Sequence, residues 1–254
     1  MRSLLGIWTW LAFTVVSAIG FVLVGALFLV IWPFDRNRRI VGRGIHQVGV
    51  AMIRCVPAWR FRVVGPLPAA LPDRCVCVSN HVSNLDPFIL AHLPWEMKFL
   101  AKSVLFRIPF VGWGIGIAGD IPLVRGSASS IKQAMARCAA YVRTGMPILV
   151  FPEGTRSTTD ELLPFKDGAF RLAIQEKAYV MPLAVVGTET ALRKHDWRPG
   201  PADGLVGAGS PISTEGMTFA DVPRLKELAR AEIEAVRERL RPQLQRADRT
   251  DRAA

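Results

Sequence analysis

Residues 4–32 carry no charged side chain, and this unbroken run of Leu, Val, Ile, Phe, Ala and Trp restricts the chain more than any other feature. It exceeds the roughly 20 apolar residues a helix needs to cross a bilayer, so its natural partner is a membrane. A cleaved signal peptide is the competing reading, with Arg2 in front and Val16-Ser17-Ala18 as the cleavage site. The run continues well past Ala18, to Trp32, which favours a retained helix. Gly20 and Gly25 leave room for it to bend or re-enter. Arg36, Arg38 and Arg39 follow the run while Arg2 alone precedes it, so the positive-inside bias assigns the remainder of the chain to the cytoplasm.

The formal net charge of +11 raises the question of nucleic acid, and its distribution points elsewhere. Between Asp35 and Asp73 there is no other acid, yet Arg36, Arg38, Arg39, Arg43, Arg54, Arg60 and Arg62 all lie there. Such a juxtamembrane segment suits an anionic membrane surface. Within it, residues 40–56 place Arg43, Gln47 and Arg54 on one helical face and Ile45, Val48, Met52, Ile53 and Val56 on the others, the pattern of an amphipathic or partly inserted helix. A basic, solvated face on a core helix is the plainer alternative. No recognised nucleic-acid-binding signature accompanies the charge, so no nucleic-acid partner is expected.

After Pro57 the pattern changes to that of an α/β domain. Residues 60–64, 74–79, 97–101, 121–124, 148–151 and 180–186 are short strand-like runs, several of them continuously apolar as buried strands are. Helical stretches at 87–92, 129–143 and 168–176 alternate with them, which predicts a mixed, largely parallel sheet flanked by helices. Residues 223–245 form a charged helix with one apolar stripe of Leu225, Leu228, Ile233, Val236 and Leu240, expected to lie on the domain surface, and residues 246–254 are expected to fray. Two regions result: N-terminal membrane-embedded or interfacial helices at 1–57, and an α/β domain at 58–254 with its C-terminal surface helix. Cys55, Cys75, Cys77 and Cys138 lack metal-ligand spacing, and Cys75 and Cys77 share a strand face, so free buried thiols and no metal are expected.

The chemistry gathers where strands end. The strand at 74–79 runs into Asn80-His81-Val82-Ser83-Asn84-Leu85-Asp86-Pro87, a candidate base and a carboxylate delivered to the strand's carboxyl end, where α/β sheets place their ligands. On a continuous helix His81 and Asp86 would point about 140° apart, so they meet only if His81 precedes the helix, with Asp86 at its N-cap and Pro87 in its first position. By themselves such a pair is more often a surface hydrogen bond than a dyad. The strand at 148–151 runs into Pro152-Glu153-Gly154-Thr155-Arg156-Ser157, a turn suited to an anion because Arg pairs bidentately with phosphate and Gly admits backbone N–H groups. A third strand end carries Arg125, and Lys102 ends a fourth.

Together these runs resemble the glycerolipid acyltransferases, specifically the 1-acyl-sn-glycerol-3-phosphate O-acyltransferases. His81 and Asp86 match the family's His-x4-Asp motif, Phe151-Pro152-Glu153-Gly154-Thr155-Arg156-Ser157 matches its phosphate-site motif, and Phe165-Lys166-Asp167-Gly168 follows as it often does there. The match covers residues 81–187. One departure is that Val124, not an acidic residue, precedes Arg125, which bears on the acceptor lipid more than on acyl transfer. The resemblance implies that His81 is the catalytic base and Asp86 its orienting carboxylate. It implies that Arg156 positions the acceptor phosphate, with Glu153, Gly154 and Thr155 as substrate-binding residues shaping its loop and Arg125 and Lys102 as further contributors. It implies a membrane lipid acceptor and an acyl donor that is acyl-CoA or acyl carrier protein, with no other cofactor. Phe106, Ile108, Phe110, Val111 and Trp113 are expected to line an acyl tunnel, touch lipid, or simply pack in the core.

Other classes fit less well. A serine hydrolase lacks its Gly-x-Ser-x-Gly elbow here, and Ser129-Ser130-Ile131-Lys132 is an isolated Ser-x-x-Lys match within a helix. A noncatalytic membrane-binding module leaves the polar strand ends without a task. Within the family, lyso-ornithine lipid or another lysolipid is the alternative acceptor.

Overall fold

The computed structural model describes residues 2–159, 161–192 and 196–252. In chain order its elements are α1 (Arg2–Ile31), α2 (Arg39–Arg54), β1 (Trp59–Val63), β2 (Cys75–Ser79), α3 (Asp86–Leu90), β3 (Lys98–Lys102), α4 (Val111–Ala118), β4 (Ile121–Leu123), α5 (Ala128–Arg143), β5 (Ile148–Val150), α6 (Gly168–Gln175), β6 (Tyr179–Val186), β7 (Ala202–Ala208) and α7 (Val222–Arg252). The strands form one sheet in the order β1-β7-β6-β2-β5-β3-β4. Every described pairing is parallel except β6 with β7. The six strands expected from the sequence are present within two residues, and β7 is an addition to them.

Alternation along β2 separates two cores. Val76 and Val78 face α5, α6 and α7 through Cys138, Val142, Phe170, Ala173, Leu225, Ile233 and Leu240. Cys75 and Cys77 face the other way, onto Ile89, Leu90, Leu93 and Trp95. The thiols of Cys75, Cys77 and Cys138 are free and buried, while Cys55 is half-buried. On α7 the apolar stripe holds at Leu225, Ile233, Val236 and Leu240, but Leu228 turns outward and Ala229 takes the buried position. The helix also continues to Arg252 where fraying was expected; residues 253 and 254 lie outside the described residues.

The N-terminal helix is continuous through both glycines, so the chain does not break and turn back within it. It is the one helix among the described residues long and apolar enough to cross a membrane, with a mean hydropathy of 2.7 over Ser3–Ile31. With α2 it forms an antiparallel hairpin: Gly20 lies against Val48, and Gly44 against Val24, so a missing Cβ on each helix lets the other approach. Further contacts run along the whole of α1. The Trp10 indole donates to the Trp197 carbonyl at 2.8 Å, the Trp8 indole to the Cys55 carbonyl at 2.8 Å, Phe13 packs on Trp59, and Phe21 packs on Phe110 and Trp113.

The basic segment differs from its sequence expectation. Arg43 donates to the Leu93 carbonyl at 2.7 Å and Gln47 to the Ala91 carbonyl at 3.1 Å, just beyond the end of α3. Arg38 donates to Gly116 O at 2.8 Å, at the end of α4, and Arg39 to Gly145 O at 2.9 Å, beyond α5. These guanidinium groups close the carbonyl ends of neighbouring helices, where the unpaired C=O groups carry partial negative charge. Arg43 and Gln47 therefore face the protein, and the helix is docked rather than spread on lipid. Arg54 remains exposed.

Beneath this docked helix lies a buried charge network. His46 Nδ1 is 3.2 Å from Glu96 Oε2 and its Nε2 is 3.2 Å from Asp120 Oδ2. The Lys98 ammonium donates to Glu96 Oε1 at 2.8 Å and to the Arg38 carbonyl at 2.7 Å, and the second oxygen of Asp120 accepts from the Phe99 N–H at 2.8 Å. Burial alone pushes the His46 pKa down, but the two carboxylates, Asp120 first, more than reverse this and raise it to about 9. His46 is thus a cation between two anions.

Candidate active site

Parallel pairing brings four strand ends to one edge. Val76 of β2 lies beside Ile148 of β5, which lies beside Lys98 of β3. Four residues further along, the three chains reach Asn80, Pro152 and Lys102 at one level. Lys102 pairs with Leu123 of β4, so Arg125 follows just beyond. At about 4.8 Å per strand, the edge from β2 to β4 spans roughly 14 Å.

The dyad forms as its spacing predicts, with a small shift of the helix start. Asp86 is the first residue of α3 and Leu85 its N-cap. His81 Nδ1 donates to Asp86 Oδ2 at 2.7 Å. The same oxygen accepts the N–H groups of Val82 at 2.7 Å and Ser83 at 2.8 Å, and Asp86 Oδ1 accepts the Thr188 hydroxyl at 2.7 Å. Asp86 is fully buried and its acceptor capacity is filled. Because a carboxylate only accepts, the ring proton stays on Nδ1 and the lone pair is left on Nε2. No described residue hydrogen-bonds Nε2. The imidazole stacks on Phe151, with centroids 4.1 Å apart and planes 22° apart, which fixes its tilt.

Three residues that sequence reasoning left out hold this geometry. Asn80 bridges β2 to β6 by donating to the Val185 carbonyl and accepting its N–H, both at 2.8 Å, so the residue before the base is anchored across the sheet. Thr188, just past β6, completes the shell around Asp86. Phe151 supplies the ring under His81. Asn80 and Phe151 sit inside the two quoted motifs and were visible there; Thr188 had no local signal.

The Pro152–Ser157 turn serves two purposes. Glu153 is buried and turned inward: Oε1 accepts the His81 N–H at 2.8 Å and Oε2 accepts the Leu163 N–H at 3.0 Å. Burial raises its pKa against the opposing effect of these N–H groups. Its carboxylate is therefore spent on the backbone, so among the expected substrate-binding residues Glu153 positions His81 and the loop instead of facing a ligand. Ser157 N–H closes the same link by donating to the His81 carbonyl at 2.8 Å. Gly154 takes φ +67, a left-handed conformation that favours Gly. Arg156 is partly exposed, and its guanidinium has no hydrogen-bond or ion-pair partner among the described residues. Thr155, Lys102 and Arg125 are exposed, and the two cations likewise have none there. The edge thus presents an uncommitted imidazole nitrogen beside a row of uncommitted cations.

Arranged this way, the edge can take a proton from a hydroxyl at Nε2 while cations hold an anion attached to the same molecule. The wall beside it is apolar: Ile108 and Trp113 are exposed and Phe110 packs against α1. These residues extend the exposed face of α1.

Comparison with known proteins points to one family. Residues 60–186 match the acyltransferase family model. A chloroplast 1-acyl-sn-glycerol-3-phosphate acyltransferase of Brassica napus is 34% identical over 184 residues, 70% of this chain and 53% of that protein. The alpha form from Homo sapiens is 30% identical over 197 residues, 77% of this chain and 70% of that protein. The crystal structure of the 1-acyl-sn-glycerophosphate (LPA) acyltransferase from Thermotoga maritima has the same fold, with a TM-score of 0.72 at 23% identity over 93% of this chain and 98% of that chain. The chain spans 51–62% of the length of the first three curated relatives it matches.

Proposed function

The chain belongs to the acyltransferase family, and on that premise we propose that it moves a fatty acyl group from acyl-CoA or acyl carrier protein to the sn-2 hydroxyl of 1-acylglycerol-3-phosphate, giving phosphatidic acid. The observation that carries this reading is the uncommitted Nε2 of His81, fixed by Asp86 and Phe151 next to the uncommitted Arg156. As the acceptor oxygen attacks the thioester carbonyl, His81 Nε2 takes its proton. Asp86 stays ionised and stabilises the imidazolium. When the tetrahedral intermediate collapses, the C–S bond breaks and the imidazolium returns the proton to the leaving thiolate. The acyl group passes directly to the acceptor, so no acyl-enzyme is needed.

Arg156 holds the acceptor phosphate, with Lys102 and Arg125 further along the edge. Holding the phosphate limits the positions its hydroxyl can take, and such orientation lowers the barrier as well as the KM. A lyso-ornithine acceptor, which has no phosphate, offers these cations only a single carboxylate, already balanced by its own ammonium group.

The docking of α1 along the domain favours a seat in one leaflet. Its contacts begin at Gly6 against Trp197 and continue to Phe28 beneath Arg38, so a perpendicular crossing would drag the domain wall into hydrocarbon. The outward residues Leu4, Ile7, Leu11, Val15, Val22, Leu23 and Val30 instead form a lipid-facing strip with Trp113 and Ile108. The active-site edge then faces the cytoplasmic surface, where a soluble thioester donor arrives.

Mass spectrometry of the lipids formed by purified protein, given a panel of lysolipids with each donor, tests the reading. Phosphatidic acid from 1-acylglycerol-3-phosphate is expected. Acylation of a phosphate-free lysolipid in preference to it would overturn the acceptor assignment.

A further inference from the structure

The loop after the phosphate turn brings in a cation that neither its motif nor the site described above assigns. Lys166 N–H donates to the Pro152 carbonyl at 2.8 Å, and Leu163 N–H holds Glu153, so the segment from 162 to 166 folds back over the turn. Its side chain crosses Gly154: a Cβ there would lie 2.7 Å from Lys166 Nζ and 2.8 Å from its Cε. Gly154 thus leaves open the space the ammonium group occupies, two residues from Arg156.

The two described carboxylates next to this cation and its glycine are already engaged. Glu153 is spent on two N–H groups, and Asp167 pairs with Lys226 at 2.9 Å and Arg171 at 3.8 Å. No described residue forms an ion pair or hydrogen bond with the Lys166 ammonium. Two cations held on one turn without an anion repel each other, and a ligand with a single charge satisfies only one. A phosphate monoester carries about −1.5 to −2 at pH 7, a diester only −1.

We propose that Lys166 is a specificity-determining residue that pairs with the second negative charge of the acceptor phosphate, so that the site selects a monoester dianion over a diester headgroup. Arg156 contributes the planar fork and Lys166 the point charge. This rests on the acceptor reading above.

The test is steady-state kinetics of the full-length protein, wild type beside Lys166→Gln and Lys166→Arg, with 1-acylglycerol-3-phosphate as acceptor and lysophosphatidylglycerol of the same chain as competing ligand. Lys166 is exposed, so both variants are expected to fold, which melting curves check. Lys166→Gln should raise the acceptor KM about tenfold, since a charged hydrogen bond is lost, while the donor KM and the inhibition constant of the diester barely change. Lys166→Arg should retain most of the affinity. The wild-type acceptor KM should also rise as pH falls through about 6, where the monoester takes up its second proton; Lys166→Gln should flatten this rise. An unchanged acceptor KM, or equal losses for monoester and diester, would overturn the proposal while leaving the acceptor reading intact. A wild type that does not turn over 1-acylglycerol-3-phosphate would overturn both.

Discussion

Two groups of charges in this molecule are built in opposite ways. Around His46, the charges are closed: Glu96, Lys98 and Asp120 are buried, each meets an opposite charge or a backbone group, and the four side chains sum to neutrality. Along the carboxyl edge of the sheet, Lys102, Arg125, Arg156 and Lys166 remain unpaired among the described residues, beside a histidine whose outer nitrogen is also unclaimed. A closed network spends its charge on holding the fold, whereas an open row holds charge in reserve for a ligand. Desolvation separates the two cases: a buried charge must be paired, while a charge at a solvated edge is tolerated without a partner. Mutation should therefore affect stability in one region and kinetics in the other.

The largest effect is expected at the open edge. His81→Ala removes the proton acceptor but little core volume, so kcat should fall by about 10²–10⁴-fold with the melting temperature nearly unchanged. Residual activity above about a tenth of wild type, in an acyl-transfer assay, would remove His81 from its role. On the closed side, Lys98→Met leaves the buried Glu96 without its ammonium. Breaking a buried ion pair costs about 3–5 kcal/mol, which denaturant titration would report as a much lower midpoint. A variant that melts like wild type but binds acceptor poorly would put the network in the site instead.

The pH dependence of the closed network is smaller, and its sign follows from His46. Its pKa in the fold is raised from 6.5 to about 9, so the native state holds that proton more tightly than the unfolded chain. The stability this provides is complete below about 6.5 and is lost as pH rises through 9. Denaturation midpoints between those pH values should decline in the wild type. In His46→Gln, itself less stable, that decline should be shallower, and equal slopes in the two proteins would rule out His46 as its source.

The open edge was far more legible in the sequence than the closed network. His81 and Asp86 are five residues apart, and the phosphate turn is continuous, so local order alone exposed them. His46, Glu96 and Asp120 come together from three distant parts of the chain, and none has a neighbour that hints at it. For the same reason Arg38, Arg39 and Arg43 looked like lipid contacts: nothing local shows that helix carbonyl ends would surround them. The strand β7 was hidden by Asp203, Gly204 and Gly207, which break its apolar run. Gly204 lies under Phe61 of β1, where a Cβ would come within 2.6 Å of the ring, so the residue that weakens the strand pattern is required by the packing. The helix α4, Val111-Gly112-Trp113-Gly114-Ile115-Gly116-Ile117-Ala118, was missed because alternate glycines disguise it; Gly112 and Gly114 lie tight against Leu105 O and Ile45.

The most direct test of the contrast is at Arg156, the residue before the Ser157 N–H that bonds the His81 carbonyl. Kinetics with both substrates varied, beside a melting curve, would be measured for wild type, Arg156→Ala and Arg156→Lys. If the open row serves the acceptor, Arg156→Ala raises the acceptor KM by about tenfold or more, leaves the donor KM and the melting temperature nearly unchanged, and Arg156→Lys recovers only part because it lacks the bidentate fork. An unchanged acceptor KM together with a clear fall in melting temperature would show that Arg156 belongs to the fold, and would contradict the account.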